Sequence, residues 1–482
     1  MGWFGAADAE FARQVLQRGV AAVYLIAFVS TARQFPALLG EHGLLPVPRF
    51  LARVRPGPTL FRWRYSDRLL AVVCWTGGAV AATLVIGLAQ LGPDWLPMVA
   101  FLGLFGLYQS IVNVGQTFYG FGWETLLLEA GFTVAFLGGA GSPPPRLILL
   151  AVLWLVFRLE FGAGLIKLRG DPAWRDFTAL YYHHETQPMP NPLSRTAHLM
   201  PQWWHRIEVA GNHVAQLLAP VLLFLPQPVA SIAALVIILT QGWLILTGNF
   251  AWLNVLTIVL ATAGLGDGVL HAVLPVLPGP RTGGTELPLY WIVITTAVFA
   301  LLLVLAVRPA RNLLSRRQLM NASFNRWHLG NAYGAFGTVT RHRDEVVIEG
   351  SAVPRPTEAD WQEYGFFGKP GDVRRRPPQY APYHLRLDWL LWFVPLGGMP
   401  ERWFAVLLLR LLEADRHILR FVRVDPFAGR PPAVIRVRMF RYRFATRAEH
   451  RESGAVWVRA PLYTVVPPVS AGLLRARGVG AL

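Results

Sequence analysis

Apolar residues in this chain come in long blocks, not in the 3.6- or 2-residue periods of half-buried helices and strands. Blocks near the roughly 20 residues needed to cross a bilayer fall at Val15–Phe35, Arg68–Leu91, Trp95–Val114, Trp123–Gly139 and Leu147–Ile166. After a polar segment come Val209–Leu225, Val229–Thr247, Phe250–Leu270 and Leu287–Val307. The pattern predicts an α-helical polytopic membrane bundle of about nine spans over residues 1–308. The third and fourth blocks are interrupted by Gln109, Asn113, Gln116 and the run Tyr119-Gly120-Phe121-Gly122. Irregular backbone at that depth survives only where protein or water covers it.

Two regions fall outside this pattern. Residues 169–205 contain Gln187-Pro188-Met189-Pro190-Asn191-Pro192. Alternate prolines remove donors and force an extended chain, so an ordered loop is expected there. Residues 309–482 read as a C-terminal, mixed, β-containing extramembrane domain. Gly337–Gly350 alternates between turn residues and predicts a hairpin. Val434–Phe444 alternates Arg with apolar residues, but its phase flips between Met439 and Phe440, which predicts a bulge. Val456–Val465 is a further strand. Leu385–Phe393 and Arg402–Phe421 are amphipathic enough to lie on a membrane surface.

Composition agrees with a membrane protein: 54% of residues are hydrophobic and 15% charged, against roughly 25% charged in soluble domains. The net charge is +17. Its basic residues cluster in loops and the C-terminal region beside the spans, where anionic membrane lipid is the simpler partner. No nucleic-acid motif accompanies them, so nucleic acid is excluded. Only Lys167 and Lys369 are lysine among 45 basic residues. Cys74 is the sole cysteine, which rules out an intramolecular disulfide or a CxxC pair and reads as a small core residue. No cleavable leader is expected, because the first apolar block follows Asp8, Glu10 and Arg13. Nine spans put the two termini on opposite sides. Arg49, Arg53, Arg55, Arg62 and Arg64 would hold their side in the cytoplasm.

Ionisable residues inside spans mark function or interhelical glue. Glu124 and Glu129 lie in the fourth span, and Arg158 and Glu160 in the fifth with Lys167 at its end. Asn212 and His213 open the sixth, and Gln241, Asn249 and Asn254 follow. Glu129 paired with Arg158 would neutralise both. Lys167 is either a desolvated general base or a snorkelling end-of-span cation. His183, His184, Glu185, His205, Glu208 and His213 form the densest group of metal-ligand types. His205 and Glu208 would share a helix face. No HExxH or other metal motif is present, so no metal is expected, and His183 and His184 are read as hydrogen-bonding the loop in place. No Walker loop, dinucleotide fingerprint or GxSxG elbow appears, which argues against a lipase of α/β-hydrolase type.

Five segments then stand out together: Tyr119–Glu124 with Leu126–Gly131; Phe161–Asp171 with Trp174-Arg175-Asp176; His184–Pro192; Trp203–Asn212; and Trp361–Phe393. In this order they resemble the lipase maturation factor family. The resemblance implies a non-enzymatic membrane chaperone or maturation factor with no cofactor, whose partner is a secreted lipase or other exported client. It implies client-facing parts at His184–Pro192 and Trp361–Trp389, the latter including Asp372, Arg375, His384, Arg386, Asp388 and Trp389. Animal relatives act in the endoplasmic reticulum. The Arg-rich, cysteine-poor composition here points to a bacterial plasma membrane instead. More distantly, Gly164–Leu168 with Trp174 is similar to the region around the catalytic lysine of vitamin K-dependent gamma-carboxylase. That likeness implies an alternative: an enzyme acting on a quinone or lipid, with Lys167 as base in a closed, lipid-sized cavity on which His183, His184, Glu129 or Arg158 converge. It also favours a cytoplasmic N-terminus and an outward C-terminal domain.

Overall fold

The computed structural model describes residues 3–269, 286–397 and 402–480. Each apolar block contains a helix: α1 (Glu10–Leu39), α2 (Asp67–Val85), α3 (Trp95–Val112), α4 (Gly122–Val134), α5 (Arg146–Arg169), α6 (Gln202–His213), α7 (Val229–Thr247), α8 (Leu253–Ala261) and α9 (Leu289–Leu314). Among the described residues, six helices are long and apolar enough to cross a membrane: Ala7–Leu39, α2, α3, α5, α7 and α9. The other three are shorter or broken. A 3₁₀ turn at Gln116–Tyr119 uses up the start of the fourth block, so α4 opens only at Gly122. Helix α6 passes through a π turn at Val214–Leu218 into Ala219–Leu222. The last residue of the eighth block, Leu270, lies outside the described residues.

Polar contacts fix an up-and-down arrangement. At one end, Asp267 accepts from the Glu10 and Phe11 amides at the start of α1 (2.8 and 3.1 Å). There Arg13 also donates to the Ser142 carbonyl, and Gln17 to Gly138. At the other end, Gln34 near the close of α1 donates to the His384 carbonyl (2.7 Å). Asn113, after α3, donates to Pro58, and Asp171, after α5, donates its amide to Gly337 (2.9 Å). The start of α1 and the C-terminal domain therefore sit at opposite ends of the bundle. Helices α4 and α5 are joined by the pair expected between them: Arg158 Nη2 lies 2.5 Å from Glu129 Oε1. Glu129 also accepts from the Gly330 and Asn331 amides, the Asn331 side chain and the Tyr333 hydroxyl. One carboxylate thus ties the chain leaving α9 back to the bundle. Helix α9 itself runs on through Pro309 to Leu314.

The C-terminal domain holds an antiparallel sheet in the order β2–β1–β5–β6, from β1 (Arg343–Ser351), β2 (Gln362–Glu363), β5 (Val434–Phe444) and β6 (Trp457–Val469). A second, two-stranded sheet pairs β3 (Gly365–Phe366) with β4 (Val422–Val424). The β5–β6 register shifts between Met439 and Phe440, where the sequence phase flips. The bulge has a packing consequence. Ile435 and Val437 join the main core that runs up from the bundle, whereas Phe440, Tyr442 and Phe444 face a separate cluster with Trp457.

Three local expectations are corrected. Gly337–Gly350 is not a hairpin: its second half is β1, which pairs with the distant β5, and its first half caps the end of α5, with the Val339 amide on Asp171. Arg386–Leu391 is buried throughout. Arg402–Leu412 buries eight of its residues in the main core, with Trp403 against Phe118 (5.9 Å). The apolar faces that read as membrane-surface helices are covered by the chain's own bundle and sheet.

Removing Glu129 leaves Arg158 buried without a counter-charge, which costs about 3–5 kcal/mol in comparable pairs. Glu129→Ala is expected to lower the thermal unfolding temperature of the detergent-solubilised protein markedly, and Glu129→Ala with Arg158→Met to recover part of the loss. An equal loss in both would show that the bonds to residues 330–333, not the ion pair, carry the effect.

Candidate functional site

Between the end of α5, the loop at 170–201, α6, α7 and the C-terminal domain lies a cavity of about 340 Å³. Its walls are mostly apolar and aromatic, including Trp123, Trp174, Trp243, Phe250, Phe336, Trp389 and Trp392. A few polar groups converge on it: Glu160, Lys167, His183, His184, Glu208, Asn212, Gln216 and Gln241. An apolar pocket with a few convergent polar groups is the usual form of a small-ligand site.

Lys167 is buried. Its amine donates to Asn212 Oδ1 and Gln216 Oε1, both at 2.9 Å, and stands over the Trp174 ring at 4.5 Å. Its described partners are thus two amides and a π face, not a carboxylate. Glu160 interacts with the Lys167 charge without pairing with it directly, accepting instead from Gln241 Nε2 at 2.6 Å, and Gln241 in turn accepts from Asn254. Gln216 lies in the π turn after α6, a feature frequent at functional sites. Gly164 lets α5 approach this turn: a Cβ there would come within 2.7 Å of Leu217.

Residues 169–205 are not the single loop expected: Pro172–Arg175, Leu180–Thr186 and Ser194–His198 are short helices, the prolines keep only the run between the last two non-helical, and His184–Pro192 is largely buried. Gln187 Nε2 donates to His184 O, Ser194 Oγ and Thr247 O. Asn191 bridges Ile245 O and Gln379 Oε1. From the sheet, Arg343 donates to the carbonyls of Glu185 (2.9 Å) and Gln187 (2.5 Å), and Glu185 accepts from the Phe444 amide (2.6 Å). The segment is mortar between bundle and domain. Burial, with His184 and Lys167 nearby, pushes the His183 imidazole down to about 3, so it is neutral, packed between Phe250 and Phe336. His184 Nε2 faces Glu208 (3.2 Å), and His205 Nδ1 lies 3.6 Å from the same carboxylate.

The C-terminal signature plugs the same end of the bundle. Arg386 Nη1 meets Glu124 Oε1 at 2.6 Å and Phe118 O at 2.8 Å, with both side chains of the ion pair 0% exposed. Tyr108 donates to the other Glu124 oxygen, and the guanidinium lies 3.5 Å over the Tyr119 ring. Asn249, between α7 and α8, accepts from the Tyr380 and Ala381 amides and donates to Pro190 and Pro378. His384 is boxed by Trp123, Phe121 and Trp389, and burial with Arg386 beside it holds its imidazole well below the ordinary value. Asp388 accepts from the Gly368 amide (2.6 Å). Arg375 caps the carbonyls of Phe366 and Phe367.

The structure therefore brings Lys167, Glu160, His183, His184, Asn212 and Trp389 together on the cavity. It sets Glu129 and Arg158 apart from it, contrary to the convergence that the carboxylase likeness implies. Trp203 is 61% exposed, His213 binds the Trp174 carbonyl from outside, and Asp372 is exposed. Sequence reasoning missed Gln34, Tyr108, Gln216 and Trp243. Gln34, Tyr108 and Gln216 carried a signal, as polar groups inside or at the edge of apolar blocks.

Residues 11–272 match the model of the lipase maturation factor transmembrane domain, and residues 329–467 that of the lipase maturation factor C-terminal domain. The chain is 37% identical to lipase maturation factor 1 of Mus musculus over 500 residues, covering 95% of this chain and 87% of that protein. It is 37% identical to lipase maturation factor 1 of Homo sapiens, over 96% of this chain and 88% of the relative. It is 29% identical to lipase maturation factor 2 of Gallus gallus, over 97% and 83%. No solved structure matches.

Burial pushes the Asp388 carboxyl up to about 6, against the Gly368 amide and the nearby charges of Lys369 and Arg375. A folded value above the ordinary 3.8 means that the folded state resists ionisation, so stability falls as pH rises from about 4 to 6 and levels off above. Asp388→Asn, which keeps an acceptor for Gly368, is expected to raise the unfolding temperature at pH 7.5 and to bring little gain at pH 4. A gain independent of pH would contradict this.

Proposed function

The chain belongs to the lipase maturation factor family, and on that premise we propose that it is a membrane-embedded maturation factor that helps secreted lipases, or related exported enzymes, reach their active fold. The observation that carries this reading is the extent of the likeness. It runs through both the membrane bundle and the C-terminal domain, and His184–Pro192 and Trp361–Phe393, two of the segments on which the resemblance was noted, help to lock the two together. We place the protein in a bacterial plasma membrane, with the C-terminal domain on the outer face where exported clients fold. Since the His184–Pro192 loop and the Arg386 segment are buried, the client would meet the outer surface of the domain. That surface carries Asp372 and the exposed Tyr463 of the edge strand β6.

The direct test is the secreted proteome of the host with and without this gene, scored for abundance and specific activity of each hydrolase. One or a few secreted lipases are expected to lose activity while their transcripts stay constant; unchanged activity throughout would defeat the reading. Asp372→Ala with Tyr463→Ala is expected to lower client activity severalfold at normal levels of the membrane protein. Full activity would move the client surface elsewhere.

The cavity favours a second reading, in which a lipid-soluble quinone or lipid binds against Lys167. None of the relatives named above bears a carboxylase name, so this reading rests on the geometry of the amine alone. Arg cannot supply a neutral amine. Lys167→Arg in a well-expressed protein should abolish any proton-abstracting activity; retention of it would remove the base role.

A further inference from the structure

The His184, His205 and Glu208 side chains meet at the edge of the cavity in a way that the maturation role does not use. We propose that they bind a divalent transition-metal ion of the zinc class. Their donor atoms lie within 4.8 Å of one another. Glu208 Oε2 is 3.3 Å from His184 Nε2 and 3.6 Å from His205 Nδ1. Two atoms bound to zinc at about 2.0–2.1 Å in tetrahedral geometry are roughly 3.3 Å apart, so both spacings suit a shared ion. Two imidazoles and a carboxylate select zinc-like ions over calcium or magnesium, which prefer all-oxygen sites.

The proton positions strengthen the case. His205 Nε2 faces the His198 carbonyl at 3.2 Å. A carbonyl only accepts, so Nε2 carries a proton. On the other side of the ring Nδ1 faces the Glu208 carboxylate at 3.6 Å and has no hydrogen-bond partner among the described residues. An outer N–H held by a backbone carbonyl is also the usual support of a metal-bound histidine. Glu208 has outer support of its own, since Trp243 Nε1 donates to Oε1 at 2.5 Å.

The site forms only in the folded chain, because His184 comes from the helix at Leu180–Thr186 while His205 and Glu208 lie one turn apart on α6. His184 and Glu208 both line the cavity, so an ion held by three protein ligands would turn its open position toward that space, for a water or an oxygen of a bound ligand. No sequence motif announces the site: one ligand is about twenty positions from the other two, outside the spacing of the familiar zinc signatures.

The test uses the full chain, purified in detergent without a histidine tag, stripped with chelator and titrated with Zn²⁺ or Co²⁺. One equivalent of metal per chain is expected, with the visible absorption of low-coordinate cobalt and a metal-dependent rise in unfolding temperature. Binding should weaken by at least about tenfold in Glu208→Gln and His205→Ala and stay unchanged in the control His417→Gln. If His205→Ala fails to fold, His184→Gln and the cobalt spectrum of the unaltered chain decide. Sub-stoichiometric binding, or one equivalent that survives all three ligand substitutions, would overturn the proposal and leave a His–Glu–His hydrogen-bond network.

Discussion

The contact between Glu124 and Arg386 is the constraint on which the architecture depends. Both side chains are fully buried, and taking two charges out of water costs several kcal/mol each unless every remaining donor and acceptor is met. Here the Tyr108 hydroxyl, the Phe118 carbonyl and the Tyr119 ring meet part of that demand, while Arg386 Nε and Nη2 have no hydrogen-bond partner among the described residues. Such a pair adds little net stability, but losing one partner strands the other. Its effect is to make one docking of the domain on the bundle far better than any other. Gln34 and Asn249 extend the same logic with neutral amides, each reading backbone groups of the docked segment on both sides.

The cavity follows from that docking. Its walls come from helices of the bundle, the proline loop and the C-terminal domain together, and none of these encloses the space alone. The loop is rigid because prolines leave it few donors, and the sheet supplies what is missing through Arg343. What reads from outside as a recognition segment is, by burial, the joint that gives the cavity its shape. The polar groups on the wall are held by one another: Lys167 by Asn212 and Gln216, Glu160 by Gln241, Glu208 by Trp243.

Much of this was legible in the sequence, for local reasons. Apolar blocks gave the helices because length against bilayer thickness needs no tertiary information. The Met439/Phe440 bulge was legible because strand side chains alternate strictly, so one slip must be absorbed by an extra residue. Glu129 and Arg158 could be paired because opposite charges in adjacent spans have few alternatives. The partner of Glu124 was not legible, because it lies 262 residues away in a segment whose amphipathicity fits a membrane surface equally well. The alternation of Gly337–Gly350 misled for a similar reason: a strand pattern fixes which face is buried, not which strand is its neighbour. The meeting of His184 with His205 and Glu208 depends on how a loop folds back on α6, and no periodicity records that.

The separation of Glu124 from Arg386 also sets a clock. A ribosome adding roughly 5–20 residues per second takes on the order of 13–50 s to reach Arg386 after Glu124 has entered the bundle. Throughout that interval Glu124 lacks the partner it has in the folded chain, and the walls that the C-terminal domain gives the cavity are not yet made. The domain can dock through this pair only when about four-fifths of the chain has been made.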